Sequence, residues 1–307
     1  MIVFCVDIAF GEKKSRPQSS AIEGYVHVLW KYDFQEKVVP NNEFQLRRAC
    51  IKFRSAISDN LLATIEIDCG KAKFTVKDVY FEYRVNRLLN FVVGQTKMPF
   101  SREEMRSCNE LLVVDRGEVN DIFGDYGYLG RDIGCSVTGD LKDRFSYGFG
   151  VFNGSGDRID GDYNNSKQFV ERITLVPVKD LTVGINSTQR NDSLTGEVIV
   201  AHGGDFSYQK WGATVEGEIL SGNTEPDKTM LGYYLVGLYR VGRFEPAVKA
   251  ERLYPDSKET GDYHSVFTYG LNWYFHKNAR LQANLVTNIS PEQETYHIFV
   301  IQAQVRF

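Results

Sequence analysis

The sequence predicts an all-β fold, a transmembrane antiparallel β-barrel of about sixteen strands with short periplasmic turns and longer extracellular loops. Three observations carry this. From Ile22 onward apolar residues alternate with polar or small ones in segments of about 8 to 14 residues, the period of a strand with two unlike faces. The connections between these segments alternate in length. No stretch reaches the roughly 18 uncharged apolar residues of a membrane-spanning helix, so a chain like this crosses a bilayer only as a closed barrel.

The elements follow in order. Residues 1–21 read as a possible signal-peptide remnant and lead-in: Met1 to Gly11 has an apolar core, but it contains Asp7 and lacks a basic start. Residues 22–307 read as one barrel. Tight polar turns are expected near 58–60, 86–87, 140–143, 179–180, 209–210, 241–242 and 276–278. Longer connections are expected at 35–42, 97–127, 153–166, 189–195, 221–227, 254–262 and 290–294, with 70–72 a short exception. A soluble sandwich has the same strand period, so this alternation of turn lengths decides for the barrel. The pattern is cleanest in the last strand, Tyr296 to Phe307, where Phe299, Ile301, Ala303, Val305 and Phe307 oppose Val300, Gln302, Gln304 and Arg306. In Tyr263 to Phe275, Phe267, Tyr269, Leu271, Trp273 and Phe275 share one face. Trp30, Tyr83, Tyr128, Trp211, Trp273 and Phe307 stand near strand ends and suit interfacial girdles.

Composition removes other classes. A formal charge of −4 with both signs interspersed offers no basic surface for nucleic acid. Cys5, Cys50, Cys69, Cys108 and Cys135 have no zinc spacing and read as small apolar fillers, with a disulfide at Cys69 the minority reading. His202 and His264 lack an evident nucleophile partner, and neither an enzyme motif nor a cofactor motif occurs. Asp157, Asp160 and Asp162 invite a calcium reading, but without the EF-hand spacing they read as a solvated external loop.

Several segments resemble the phosphate-selective porin O and P family: FQLRRACIKF at 44–53, VKDVYFEY at 76–83, VGQTKMPFS at 93–101, GRDIG at 130–134 and LNWYFHKNARL at 271–281. Their order covers the chain from about Glu43 onward. The resemblance implies a homotrimer of sixteen-stranded channels in the bacterial outer membrane, with inward-folded loops and a basic lumen. It also makes Phe307 the signal read by the assembly machinery, and 97–127 the inward-folded constriction loop.

The expected site is the lumen wall. If Ile51 and Phe53 face lipid, then Arg48, Lys52 and Arg54 face inward as a basic ladder, or else they merely pair with Glu66 and Asp68. Arg84, Arg144 and Lys249 are further pore-lining candidates, opposed by Glu82, Glu216 and Glu218. The loop 97–127 adds Lys97, Arg102, Arg106 and Arg116, but its acids outnumber its bases. The expectation is a passive channel for small hydrophilic solutes with a preference for anions such as phosphate. The open alternatives are a weakly selective pore with a mixed transverse field, a barrel that sheathes a partner protein, and a soluble β protein.

Overall fold

The computed structural model describes residues 20–35, 38–141, 144–155, 161–162, 165–191, 196–225 and 227–307. Sixteen antiparallel strands close on themselves, each paired with its sequence neighbours and the last with the first. They are β1 (Ser20–Asp33), β2 (Asn42–Ala56), β3 (Leu61–Asp68), β4 (Thr75–Asn86), β5 (Leu89–Lys97), β6 (Arg131–Leu141), β7 (Phe145–Phe152) and β8 (Gln168–Val178). Then come β9 (Leu181–Asn191), β10 (Val198–Lys210), β11 (Ala213–Glu225), β12 (Lys228–Tyr239), β13 (Phe244–Tyr254), β14 (His264–His276), β15 (Ala279–Ser290) and β16 (Gln293–Arg306). The barrel closes where Tyr25 faces Arg306, and Gly24 and Phe307 exchange two backbone hydrogen bonds of 2.9 Å each.

Burial runs opposite to that of a water-soluble protein. Ile185 is 63% exposed and Leu235 52%, whereas Gln282 is fully buried and Lys249 is 1% exposed. Apolar side chains on alternate positions point outward and their polar neighbours point in, which separates a membrane barrel from a sandwich with an apolar interior. Exposed aromatics gather at both rims. Tyr83, Tyr208, Trp211, Tyr239, Phe244, Trp273 and Phe307 mark the short-turn end, with the Phe244 and Trp273 rings stacked 6.3 Å apart. Trp30, Tyr32, Phe44 and Phe299 cluster at the long-loop end.

Three details differ from the sequence reading. The connections expected at 221–227 and 290–294 are mostly strand, since β11 runs to Glu225 and β15 to Ser290 before tight reversals. Polar residues on both faces hid these extensions, because a strand that emerges from the bilayer no longer needs an apolar side. The last strand likewise begins at Gln293 rather than Tyr296. Tyr128 is not a girdle residue: it lies inside the barrel against Phe123, and its hydroxyl donates to the Asn223 carbonyl.

Residues 1–19 lie outside the described residues, as do Asp157 and Asp160 of the calcium reading, while Asp162 is engaged by Lys167. Among the described residues no group of His, Cys, Asp and Glu could hold a metal ion, and Cys50, Cys69, Cys108 and Cys135 are free thiols.

The connection from β5 to β6, residues 98–130, is here called L3. It carries α1 (Arg102–Met105), a 3-10 turn (Cys108–Glu110) and α2 (Glu118–Asp125). Its apolar side chains find three patches on the inner wall. Met98, Phe100, Val119, Phe123, Tyr128 and Leu129 pack on Phe152, Val170, Ile199, Ala201, Leu220, Met230 and Leu253. Val113 packs on Tyr234, Val236, Leu238 and Ala247, and Val114 on Leu29 and Val300.

The inside-out pattern makes a stability prediction. Ile65, 47% exposed in the middle of β3, faces the hydrocarbon, so Ile65→Arg should destabilise the barrel by about 2–4 kcal/mol. Urea titration of folding into lipid vesicles measures this, with Ile65→Leu as the neutral comparison.

Candidate functional site

Two irregularities in pairing build the basic wall. Across from β1, His27 faces Arg48 and Val28 faces Leu46, which leaves Arg47 as an extra residue. Across from β3, Glu66 faces Asp78 and Ile67 faces Val76, which leaves Lys77 extra. Each is a β-bulge that turns two successive side chains to the same side. Strict alternation puts only one of Arg47 and Arg48 in the lumen, and only one of Lys77 and Asp78; the bulges bring in both. The carbonyls at the second bulge are satisfied by Gln95, whose Nε2 donates to Val76 and Lys77 at 2.8 Å each. Gly70 lies over the first, where an added Cβ would meet the Arg47 carbonyl oxygen at 2.5 Å.

Carboxylates hold this wall in place. Arg48 Nη1 donates to Asp68 at 2.9 Å, and Asp68 also accepts from the backbone N–H of Ala49 and Gly70. Lys52 bonds Glu66 and lies 3.6 Å from Asp78, which accepts from Arg131 at 2.7 Å. Lys77 stands 3.9 Å from both Glu66 and Asp68. His27 is fully buried beside this group, and neither ring nitrogen has a hydrogen-bond partner among the described residues. Arg54 pairs loosely with Glu23 at 3.4 Å, and Arg84 forks onto Glu82 at 2.6 and 3.2 Å, both pairs on the short-turn side.

L3 is fastened to the opposite wall by charge. Arg102 Nε donates to Asp205 at 2.7 Å, and Arg172 reaches the other Asp205 oxygen at 2.6 Å. Arg106 Nη2 forks onto Glu216 at 2.6 and 2.8 Å. Glu218 accepts from the Ser101 hydroxyl at 2.9 Å and from the Arg102 N–H at 2.7 Å, which holds Ser101 at a φ of 61°. Lys249, buried on β13, donates to Glu103 of L3 at 2.6 Å and lies 3.3 Å from Glu251. A Cβ at Gly117 would meet the side-chain ends of Glu251 and Lys249, so a larger residue there would displace this ion pair.

Further along, Asn272 donates to the Leu112 carbonyl, Asn284 accepts from Val114 N–H, and Arg280 and Gln304 donate to the Asn109 carbonyl. Arg47 closes the circuit from the basic wall by binding the Val114 carbonyl and Asp115. L3 therefore lies inside the barrel. A cavity of about 480 Å³ lies on its long-loop side, bordered by 113–118 and Asp121, and another of about 450 Å³ on its short-turn side, bordered by Ser107, Asn109 and Glu110.

These placements sort the expected residues. Arg48 and Lys52 stand on the basic wall. Arg102, Arg106 and Lys249 are L3 anchors. Lys97 and Arg116 both donate to backbone carbonyls of L3, with Arg116 also 3.1 Å from Glu104. Arg144 is an exposed residue in the turn between β6 and β7 and has no place on the wall facing L3. The sequence reading missed Arg47, Lys77, Arg131, Arg172, Arg280 and His27. It also took Cys108 as filler, whereas the Arg116 guanidinium donates to its sulfur at 3.5 Å. Burial opposes ionisation of that thiol, but Lys77, Arg116, Arg48 and Lys97 outweigh burial and bring it down to about 6. On α2, burial together with Asp115 and Glu103 pushes the Asp121 carboxyl up to about 6.

Comparison with known proteins places this geometry. The profile of the family of phosphate-selective porins O and P matches residues 23–202. A search of curated proteins finds no match. Among solved structures, a loop L8 deletion mutant of OmpT, an outer membrane protein of Vibrio cholerae, superposes with a TM-score of 0.73 at 12% identity, over 94% of this chain and 99% of that one. The outer membrane channel DcaP of Acinetobacter baumannii does so at 0.70 and 10% identity, over 97% and 99%. In-vitro folded OmpT in its trimer form gives 0.66 at 10% identity, over 94% and 99%.

The anchoring role of Lys249 is testable. Lys249→Met leaves Glu103 and Glu251 facing each other without their cation, which should loosen L3 at a cost of about 3–5 kcal/mol. Protease added to intact cells should then cut within 98–130 in the variant and not in the parent; equal resistance in both would remove Lys249 from the set of anchors.

Proposed function

The chain belongs to the phosphate-selective porin O and P family, and we propose that it forms a passive diffusion pore for small hydrophilic solutes with a preference for anions such as phosphate. It is an integral protein of the outer membrane with the closed sixteen-stranded fold of a porin channel. In this reading L3 forms the constriction, with one cavity as the outer vestibule and the other as the inner.

The observation that carries the anion preference is the charge of the wall facing L3. Arg47, Arg48, Lys52, Lys77 and Arg131 project from β2, β4 and β6 among Glu66, Asp68 and Asp78, with Asp115 of L3 on Arg47, so that bases still outnumber acids there. In a narrow passage such a wall supplies donors that replace part of an anion's hydration shell. The basic residues of L3 itself contribute little, because carbonyls and wall carboxylates already hold them. Assembly as a homotrimer is part of the proposal, supported by the trimer form of OmpT. The alternative of a barrel sheathing a partner protein is less favoured, since L3 already occupies the position that a partner would take.

Planar-bilayer recordings in a salt gradient test the reading. The purified protein should conduct with a zero-current potential of anion sign, and combined Arg48→Ala, Lys52→Ala and Lys77→Ala should lower the chloride-to-potassium permeability ratio severalfold. No conductance would end the pore hypothesis, and an unchanged ratio would end the assignment to this wall.

Selectivity should also depend on pH. A carboxyl with a raised pKa is ionised above it and neutral below it, so acidification from about pH 7.5 to about pH 5 removes the negative charge of Asp121 and strengthens anion preference. Asp121→Asn should show a smaller change over the same range, with reversal potential as the readout.

A further inference from the structure

The outer cavity carries opposite charges on opposite sides. Lys31 on β1, Arg47 on β2 and Lys71 in the turn after β3 stand on one side, and Glu118 and Asp121 of α2 stand on the other with Glu251. Most of these charges are already met. Arg47 binds Asp115, Glu118 lies 3.4 Å from His264, Glu251 faces Lys249, and Lys31 lies 3.7 Å from Asp33. Glu43, a carboxylate on the basic side, accepts from Gln45 and faces Lys31 across the strand pair. Lys71 and Asp121 differ from the rest: both border the cavity, and neither forms an ion pair among the described residues. Helix α2 packs on β12 and β13, and the turn bearing Lys71 packs on β2, so these two charges reach the same cavity from different parts of the wall. Asn284 and Asn288 of β15 also line the cavity, their amide nitrogens buried and with no hydrogen-bond partner among the described residues.

We propose that this cavity is an orienting site for small zwitterions of amino-acid or short-peptide size, which pass with the carboxylate toward Lys71 and the ammonium toward Asp121. A simple anion or cation entering here gains on one side and loses on the other, whereas a molecule bearing both charges gains on both. A volume of about 480 Å³ suits a solute of that size rather than a bare ion. The inference rests on the diffusion-pore reading and adds a solute class to the anion preference, which belongs to the wall deeper in the lumen.

Liposome swelling with the purified full-length protein tests it, using triglycine, its N-acetyl derivative (anionic), its amide (cationic) and the doubly blocked N-acetyl amide (uncharged). Triglycine should enter about threefold or more faster than the doubly blocked peptide and faster than both singly blocked forms. Combined Lys71→Met and Asp121→Asn should bring the ratio of triglycine to doubly blocked peptide close to unity. Exchanging the charges, Lys71→Glu with Asp121→Lys, should restore the advantage by inverting the orientation. Equal rates for triglycine and the doubly blocked peptide in the unaltered protein would overturn the proposal, as would a ratio unmoved by the neutral double variant. Swelling by none of the four peptides would instead overturn the pore reading beneath it.

Discussion

The structure depends on one constraint: a backbone N–H or C=O in hydrocarbon has no water to bond, so every strand needs a partner on both edges. Closure between β1 and β16 meets it, and the Gly24–Phe307 exchange extends the pairing to the last residue of the chain. The outward face must then be apolar, and the inward face is released from that requirement. The interior consequently holds glutamines, asparagines and charged residues at positions that a soluble protein fills with leucine and valine.

A lumen of this kind offers a loop little apolar surface to dock on, and L3 is accommodated by exceptions to the rule. β12 carries Met230, Tyr234, Val236 and Leu238 on its inner face, and Gly232 among them leaves room for Val119. Around this footprint the attachment is electrostatic, with arginines of L3 on wall carboxylates and a wall lysine on an acid of L3. Arg102, Arg106 and Lys249, which look like anion ligands from their charge alone, are thereby engaged in holding L3, and the charge proposed to act on solutes lies on the wall of β2, β4 and β6.

The fold was legible because dyad alternation and turn lengths are direct consequences of the membrane, and they persist in residues as plain as Phe299, Ile301 and Val305. The position of L3 was also encoded, in the loss of alternation through β12, where both faces are apolar from Met230 to Tyr239. What alternation could not reveal is any place where it breaks by a single residue. Arg47 and Lys77 sit at such breaks, and a strict period of two sends each to the lipid. Arg102, Arg106 and Lys249 illustrate a second limit: their charges were visible, but their partners Asp205, Glu216 and Glu103 lie about 100 residues or more away in sequence, and only the closed barrel brings them together.

The two bulges have a consequence for how such a lumen can change. Substitution within a strand can replace one inward side chain by another but cannot add one without lengthening the barrel wall. An extra residue confined to a bulge adds an inward charge while the register on either side, and with it the lipid-facing surface, stays as it was. Insertion or loss of one codon at Arg47 or Lys77 is thus a route by which the inner charge can drift without disturbing the outer shell.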